Sequence, residues 1–400
     1  MWHNGPQGVV SWVFGIIGFN PSPSAGLKVQ ISSNRFLAFC TMAPFIPSSH
    51  TAIIQHDDAG GVKITPGLPL PVLEPGQVLV KTAAVALNPC DFKMPQRFSQ
   101  AGTYNGCDYA GTVVQLTEEV EKNGLLKVGD RIFAACVGNN PHDKDSGSFA
   151  EYLKGTAKFC WKIPDWMSFE EAAGLSGTCI ATACMSLFQS LKLPGTFEEP
   201  ATKPLDVLIW GGASSVGTTM IQMVKLLGHR AITTCSPKNF ELVKSYGADA
   251  VFDYRSPTCA ADIKKLTRNS LKYVVDPFSD LRTMALADEA MGRSGGKYVA
   301  LESYQDTHDK KSKLIERELI MGQMILGRAI KLPGDYGKPE NPEMGRWGVE
   351  CYKSVQRLVD DRKLRPHPLR ILDGGLEAIL DGLEMLKRRE VAAEKIVVRL

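Results

Sequence analysis

The stretch Val207-Leu208-Ile209-Trp210-Gly211-Gly212-Ala213-Ser214-Ser215-Val216-Gly217 constrains the fold of this chain more than any other. An apolar run passes into a Gly/Ser-rich turn and then into Thr218 to Leu227, where Met220, Met223, Val224 and Leu227 recur at helical spacing before Gly228. This pattern predicts a strand, a tight turn and a helix, the first βα unit of a dinucleotide-binding domain. Such a turn leaves backbone N–H groups free at a helix N-terminus, where the helix dipole favours a pyrophosphate. Redox chemistry on a nicotinamide cofactor is the expectation that follows.

A glycine-rich turn alone is a weak signal, and the residues after it strengthen it. Ala231-Ile232-Thr233-Thr234-Cys235 reads as a second strand of a parallel sheet. A cofactor without a 2′-phosphate usually has its ribose held by Asp or Glu at the end of that strand. The sequence there is Ser236-Pro237-Lys238-Asn239, without a carboxylate. A hydroxyl and a cation suit a phosphate, which favours NADPH over NADH; Lys238 taken alone reads equally well as a solvated first-turn lysine. Asn239 to Gly247 reads as a helix stopped by Gly247, and Ala250 to Arg255 as a third strand ending near the adenine side.

A chain of 400 residues, 44% hydrophobic, can build two or three cores. Its formal charge of +3 is too small to imply nucleic acid. Ten cysteines without a C-x-x-C pair read as reduced thiols of a cytoplasmic protein, not as a disulfide framework.

Residues 1–43 differ from the rest. Val9 to Phe19 is apolar and glycine-rich, and Pro21-Ser22-Pro23-Ser24 follows. That run is short of the roughly 20 residues a bilayer span needs, and no Lys or Arg precedes it, so a secretory n-region is missing. The segment reads as disordered or as a gene-model extension, with Met42 as the working start. From Phe45 the chain changes to short β-like runs: Val78 to Val85, Ala110 to Leu116, a turn and strand over Val128 to Phe133, and Gly147 to Tyr152. The spacing predicts a compact β-barrel-like domain over 44–195, bounded by the Pro-rich Pro194 to Pro204. A nucleotide-binding domain over 196–331 follows. Residues 332–400 complete the first domain, through an irregular Gly/Pro-rich stretch, Gly334 to Gly348, and a final strand over Lys395 to Leu400 that returns to it.

Asn88-Pro89-Cys90-Asp91, Gly106-Cys107-Asp108-Tyr109-Ala110-Gly111, Val128-Gly129-Asp130-Arg131 and Gly211 to Gly217 together resemble the medium-chain dehydrogenase/reductase superfamily. The resemblance covers about Phe45 to Leu400 and implies an α/β fold: a GroES-like β-barrel catalytic domain joined to a Rossmann domain with a doubly wound parallel sheet. Zinc-dependent members carry a histidine in a G-H-E-x-x-G segment, and here that place holds Gly106-Cys107-Asp108. A tetrahedral catalytic site fails when a ligand is lost, and the four-cysteine structural loop is missing too, so no metal is expected. Within the zinc-free branch the chain is similar to the fungal trans-acting enoyl reductases of the lovastatin-pathway type. Phe45-Ile46-Pro47, Asn88 to Met94, Cys235 to Phe240, Val251 to Arg255, His367-Pro368-Leu369-Arg370 and Glu394 to Leu400 carry this narrower match.

The resemblance implies a set of site residues. Cys90, Asp91, Phe92 and Lys93 would contact the cofactor near its reacting end, and Ala213, Ser214, Ser215 and Val216 would hold the phosphates. Ser236, Pro237, Lys238 and Asn239 would meet the 2′-phosphate and ribose, Tyr254 the adenine, and Leu301 and Glu302 would approach the nicotinamide. The substrate channel would use Ala181, Thr182, Ala183, Cys184, Met185, Ser186, Leu187 and Phe188 together with Gly322, Gln323, Met324, Ile325 and Leu326. Ser214 replaces the usual middle glycine and could give its hydroxyl to phosphate. A family threonine aligns with Ala181, with Thr182 one place on, so either residue could line the pocket.

In conjugate reduction, negative charge gathers on the thioester oxygen, and a fixed donor there lowers the barrier. Lys93 is the best side-chain candidate, either for that or for holding the cofactor. Tyr109 could donate a phenolic proton or pack beneath the site, and water could supply the α-proton. The expected activity is reduction of a carrier-bound enoyl thioester by NADPH, with a highly reducing polyketide synthase or PKS-NRPS as partner. A monomer without a membrane span is the expected form. A stand-alone quinone or enone reductase and a cofactor-binding protein without turnover are the alternatives.

Overall fold

Strands β1 (Ser49–Gln55) and β2 (Val62–Pro69) form an antiparallel ribbon ahead of β3 (Gln77–Ala86), which is buried along nearly its whole length. That continuous apolar character is what a central strand needs, and β3 sits at the middle of its sheet. In this computed structural model, which describes residues 45–57, 59–304 and 312–400, β3 leads into α1 (Pro89–Arg97) and β4 (Asp108–Leu116). Then come α2 (Glu118–Asn123), β5 (Arg131–Ala135), β6 (Tyr152–Thr156) and β7 (Trp161–Lys162). Helices α3 (Phe169–Leu175) and α4 (Gly177–Cys184) carry the chain across to the second sheet. The expectation that residues 1–43 stand outside the fold concerns a segment outside the described residues.

The predicted strand over Gly147 to Tyr152 is displaced. Strand β6 starts only at Tyr152, and the preceding residues bend against the Asn105–Gly106 backbone: Phe149 N–H donates to Asn105 O at 2.9 Å and Ser148 N–H to Gly106 O at 3.0 Å. A side chain at Gly147 would come within 2.6 Å of Asn105 O, so the glycine marks a close backbone approach, not a strand.

The second sheet is all parallel. It contains β8 (Asp206–Ile209), β9 (Arg230–Cys235), β10 (Ala250–Asp253), β11 (Tyr273–Asp276), β12 (Gly296–Ala300) and β13 (Ile315–Leu319). The spatial order is β10-β9-β8-β11-β12-β13. Helices α5 (Ser215–Leu226), α6 (Phe240–Ser245), α7 (Cys259–Leu266) and α8 (Leu281–Ala290) make the crossovers. Strand order reverses at β8, so the carboxyl end of β8 is the switch point where open α/β sheets bind ligands. The predicted helix after β9 is split into a 3₁₀ turn over Pro237–Asn239 and α6, and Gly247 ends it at φ +105°.

The C-terminal part returns as expected: β15 (Lys395–Arg399) lies antiparallel to β3 and parallel to β14 (Leu369–Leu372), extending the first sheet. The Gly/Pro-rich stretch read as irregular is corrected, because a 19-residue helix, α9 (Pro342–Asp360), begins inside it. Its start is encoded after all, by the Asn341 side chain accepting from Met344 N–H and by proline in the first turn, where no N–H is needed. Helix α9 lays Tyr352 flat on Trp161, ring centroids 4.0 Å apart, and Trp161 Nε1 donates to Tyr352 O at 3.0 Å. Helix α10 (Gly375–Lys387) closes the sheet against α1. The helical run Phe169–Ser190 is long and apolar enough to cross a membrane, but 78% of its apolar window is buried in this core.

Candidate active site

The glycine-rich turn closes at the carboxyl end of β8. Gly211 adopts φ +69°, which favours glycine, and a Cβ there would lie 2.3 Å from the Phe278 ring. A Cβ on Gly212 would lie 2.0 Å from Thr233 Oγ1, and one on Gly217 would lie 2.6 Å from Gly211 O. All three positions therefore exclude side chains, and the backbone is left bare for a ligand to approach. Ser214 caps α5: its hydroxyl accepts from Gly217 N–H at 3.1 Å and donates to Gly211 O at 2.8 Å. The hydroxyl proton expected for a phosphate is thus committed to the turn. By helix geometry, the N–H groups of Ser215 and Val216 have no partner within α5 and remain for an anion. Ala213 packs half-buried against the main core.

Beneath this turn lies a residue whose role the sequence did not show. His367 is buried, with Nδ1 3.1 Å from Thr218 Oγ1 in the first turns of α5. Burial, then the charge of Lys395, holds its pKa down to about 4, so the imidazole is neutral. Gln222 bonds the Arg365 backbone twice, at 3.0 and 3.1 Å, and fixes the same segment to α5.

Ser236, Pro237, Lys238 and Asn239 follow β9 at the same edge of the sheet; Pro237 and Lys238 are exposed, while Ser236 and Asn239 are half-buried. Tyr254, half-buried, sits just beyond the neighbouring β10. The structure thus brings the phosphate-turn segment, the 236–239 segment and Tyr254 to one edge.

Across from them, α1 begins at Asn88, whose N–H donates to Asp91 Oδ2 at 2.7 Å. Phe92 packs half-buried on the first-domain core. Asp91 is buried, and desolvation lifts its carboxyl to about 7 against the pull of the Asn88 N–H. The Cys90 and Cys107 sulfurs are 4.0 Å apart. The Cys107 thiol pulls the Cys90 pKa down, but burial and the nearby Asp91 and Asp108 raise it overall. Hydrogen bonding to Cys90 and burial push Cys107 well up. Tyr109 is buried, its hydroxyl 3.6 Å from Cys160 Sγ and its pKa pushed well up by burial, which fits packing and not proton donation.

Cys90, Asp91 and Cys107 bring their ligand atoms within 4.8 Å of one another. The set does not fit the zinc centre of this fold, because Cys107 stands where the zinc-dependent members carry their histidine ligand, and no imidazole completes the set. A cation is already built in beside them as well. The Lys395 ammonium, 3% exposed, lies 3.3 Å from Asp108 Oδ2 and 3.3 Å from Ser176 Oγ, and it also donates to Asn88 Oδ1. Asp108 in turn accepts from Asn88 Nδ2 and from Thr178 N–H, each at 2.8 Å. This buried network joins α1, β4, β15 and the start of α4.

The two predicted reacting-end segments meet directly. Lys93 Nζ lies 2.9 Å from Glu302 Oε2 in the loop after β12, and Arg97 and Tyr336 also donate to Glu302. Burial alone would raise the Glu302 carboxyl, but hydrogen bonds from Tyr336, Arg97 and Lys93 hold it at about 2. Leu301 N–H bonds Asp276 O at 3.2 Å, so the loop leaves β12 in a fixed direction. Arg97 reads from the sequence as a basic residue at the mouth of the site, a candidate to dock an acidic carrier domain, and Tyr336 had no sequence signal.

A cavity of about 110 Å³ opens beside Met94, next to Lys93, and is lined further by Val137, Phe159, Gln323, Leu326 and Ile330. Of the two predicted channel segments, the 3₁₀ turn Gly322–Leu326 supplies Gln323 and Leu326 to this wall. Gly322 and Ile325 are buried, and Met324 is half-buried. Ala181, Thr182, Ala183, Cys184, Met185, Ser186 and Leu187 are all buried, and only Phe188 is half-buried. They form the end of α4 and a π-helical turn, Met185–Ser190, which packs on the 322–326 turn. Thr182, not Ala181, faces that turn: a Cβ on Gly322 would lie 2.8 Å from Thr182 Oγ1.

Residues 74–165 match the alcohol dehydrogenase GroES-like domain family and residues 215–330 the zinc-binding dehydrogenase family. A GroES-like domain feeding a parallel dinucleotide sheet, with a donor set unsuited to zinc, defines the zinc-independent branch of the medium-chain dehydrogenases/reductases. The mycobacterial protein Rv1454c, solved in complex with NADPH, shares this fold at a TM-score of 0.67 and 20% identity, over 88% of this chain and all of its own. Curated relatives are nearer. The enoyl reductase cheB of Chaetomium globosum is 62% identical over 361 residues, covering 89% of this chain and 95% of that protein. The trans-enoyl reductase ccsC of Aspergillus clavatus is 49% identical, with 89% and 97% covered. The chain belongs to the fungal trans-enoyl reductases.

Proposed function

We propose that this chain is a trans-acting enoyl reductase. It reduces the α,β-double bond of a polyketide enoyl thioester held on an acyl-carrier domain of a polyketide synthase or PKS-NRPS, at the expense of NADPH. The observation that carries the reading is the 62% identity to an enoyl reductase across nearly its full length, laid over a site whose cofactor segments converge on one sheet edge. The bare backbone at Gly211, Gly212 and Gly217 fits a dinucleotide pyrophosphate, and the carboxylate-free Ser236–Asn239 segment suits a 2′-phosphate.

NADPH, when bound, supplies the hydride that adds to the β-carbon of the enoyl group. The protein's part is to place both reactants and to stabilise charge. Ala213, Ser215 and Val216 hold the phosphates through the turn, with Ser214 shaping it; Ser236, Lys238, Asn239 and Tyr254 take the adenosine end. Cys90 to Lys93 and Leu301–Glu302 flank the reacting end. As negative charge develops on the thioester oxygen, the Lys93 ammonium, steadied by Glu302, is the cation assigned to stabilise it. The acyl chain enters the cavity between Met94 and the 322–326 turn. Such an enzyme works as a monomer, as the resemblance implies. A cytoplasmic location follows from reading the cysteines as reduced thiols.

The test is NADPH oxidation by the purified protein with an enoyl-pantetheine thioester and a simple quinone in parallel. Turnover of the thioester supports the proposal; turnover of the quinone alone makes the chain a stand-alone quinone reductase.

A further inference from the structure

We propose that Arg255 is a second cationic partner, beside Lys238, for the 2′-phosphate of the cofactor, and so sets the preference for NADPH over NADH. The proposal rests on the reading that this chain uses NADPH, and adds a residue that reading does not include.

Strands β9 and β10 are parallel neighbours with Asp253 opposite Cys235. Ser236 therefore leaves β9 beside the point where Tyr254 and Arg255 leave β10. Arg255 Nη1 donates to Ser236 Oγ at 3.2 Å, and its guanidinium carbon lies 4.7 Å from the centroid of the Tyr254 ring. Two contacts from different strands thus hold an exposed arginine over the segment that has no carboxylate. Among the acidic side chains near in sequence, Glu241, Asp249 and Asp262 have partners other than Arg255, and the Asp253 carboxylate is turned to the Arg255 backbone. Asp253 Oδ1 accepts from the Arg255 backbone N–H at 3.0 Å, Glu241 pairs with Lys244 at 2.8 Å, and Asp249 pairs with Lys225 at 2.8 Å.

A guanidinium carries five N–H donors in a planar fork that matches phosphate oxygens two at a time. With one donor on Ser236, the others stay available for a phosphate placed between Ser236 and Lys238. Lysine offers a point charge on a flexible stem; arginine adds direction. Stacking on Tyr254 holds the fork before the ligand arrives, which lowers the ordering cost of binding.

The experiment measures dissociation constants of the full chain for NADPH, NADH, 2′,5′-ADP and 5′-AMP by titration calorimetry, in wild type, Arg255→Gln and Arg255→Lys. Arg255→Gln is expected to weaken NADPH and 2′,5′-ADP by about tenfold or more, the usual worth of hydrogen bonds to a charged group. NADH and 5′-AMP should stay within about twofold, because they carry no 2′-phosphate for the guanidinium to hold. Arg255→Lys should fall between the two. Unchanged thermal melting confirms that the variants fold, as expected for an exposed side chain. A wild type that prefers NADPH, with Arg255→Gln leaving that preference intact or weakening all four ligands alike, overturns the role of Arg255 alone. A wild type that binds NADH as tightly as NADPH overturns the cofactor reading and this proposal with it.

Discussion

The Lys93 ammonium meets the Glu302 carboxylate at 2.9 Å, joining helix α1 of the first domain to the loop that leaves β12 of the second. The cation proposed for the developing oxyanion is therefore held by a group from the second domain. Replacing Lys93 by Met is expected to lower kcat roughly a hundredfold, the usual scale for losing one charge-stabilising donor, with a smaller change in KM for NADPH. Steady-state kinetics check this. A raised KM for NADPH at unchanged kcat would assign Lys93 to cofactor holding only.

Glu302 keeps its charge far into acid. With its folded pKa near 2, below the ordinary 4.5, the stability it contributes is present above pH 4.5 and is lost as pH falls toward 2. Glu302→Gln should melt lower than wild type at neutral pH, and the gap should narrow under acid. A gap that does not change with pH contradicts the assignment.

Lys395 and Asp108 form a pair with no route to solvent, the first 3% and the second 0% exposed. Lys395→Met leaves Asp108 charged and buried without its cation, which costs about 3–5 kcal/mol. Removing both charges, with Asp108→Asn added, is expected to recover a large part of that loss. Urea unfolding of the two single variants and the double variant measures the coupling; additive effects would show that the network does not act as a unit.

Asp91 has the opposite sign from Glu302. Its carboxyl titrates near 7 in the folded protein and near 3.8 when unfolded, so the native state keeps a proton that the unfolded chain releases between those values. Stability therefore falls as pH rises through that window and levels off above it. Asp91→Asn keeps an acceptor for the Asn88 N–H but has no proton to lose. Thermal midpoints of the variant should decline less than those of wild type from about pH 4 to about 7; parallel curves would place the carboxyl elsewhere on the pH scale.

Ser214 caps helix α5 rather than reaching outward. Ser214→Ala should cost about 1 kcal/mol of stability and Ser214→Gly only a few tenths, each with little effect on NADPH binding. A large loss of affinity in the glycine variant would return the hydroxyl to the phosphate.

Periodicity made the nucleotide-binding half readable. Apolar runs near glycine fixed β8 and β9 within a residue or two, because a buried parallel strand shows itself in consecutive apolar positions, and the half-buried edge strand β10 followed from the short apolar run after Gly247. Helix α9 was hidden because its first turns lie in a Gly/Pro-rich stretch, and composition spoke louder there than the Asn341 cap. Gly147 misled in the other direction, since an alternating pattern around a glycine resembles a strand until the neighbouring backbone is in place. The Lys93–Glu302 contact brings together residues that were named separately. The roles of Lys395 and Tyr336 could not be anticipated: Lys395 lies 287 positions from Asp108, and pairs that distant leave no local pattern.

The most direct test of the account is deuteride transfer from 4,4-dideuterated NADPH to an enoyl chain loaded on the partner synthase's acyl-carrier domain, read by mass spectrometry of the released acyl group. The account predicts one deuterium at the β-carbon of a saturated chain, formed with the wild-type protein and strongly reduced with Lys93→Met. Recovery of an unreduced enoyl chain while NADPH is consumed by a quinone in the same mixture would contradict it.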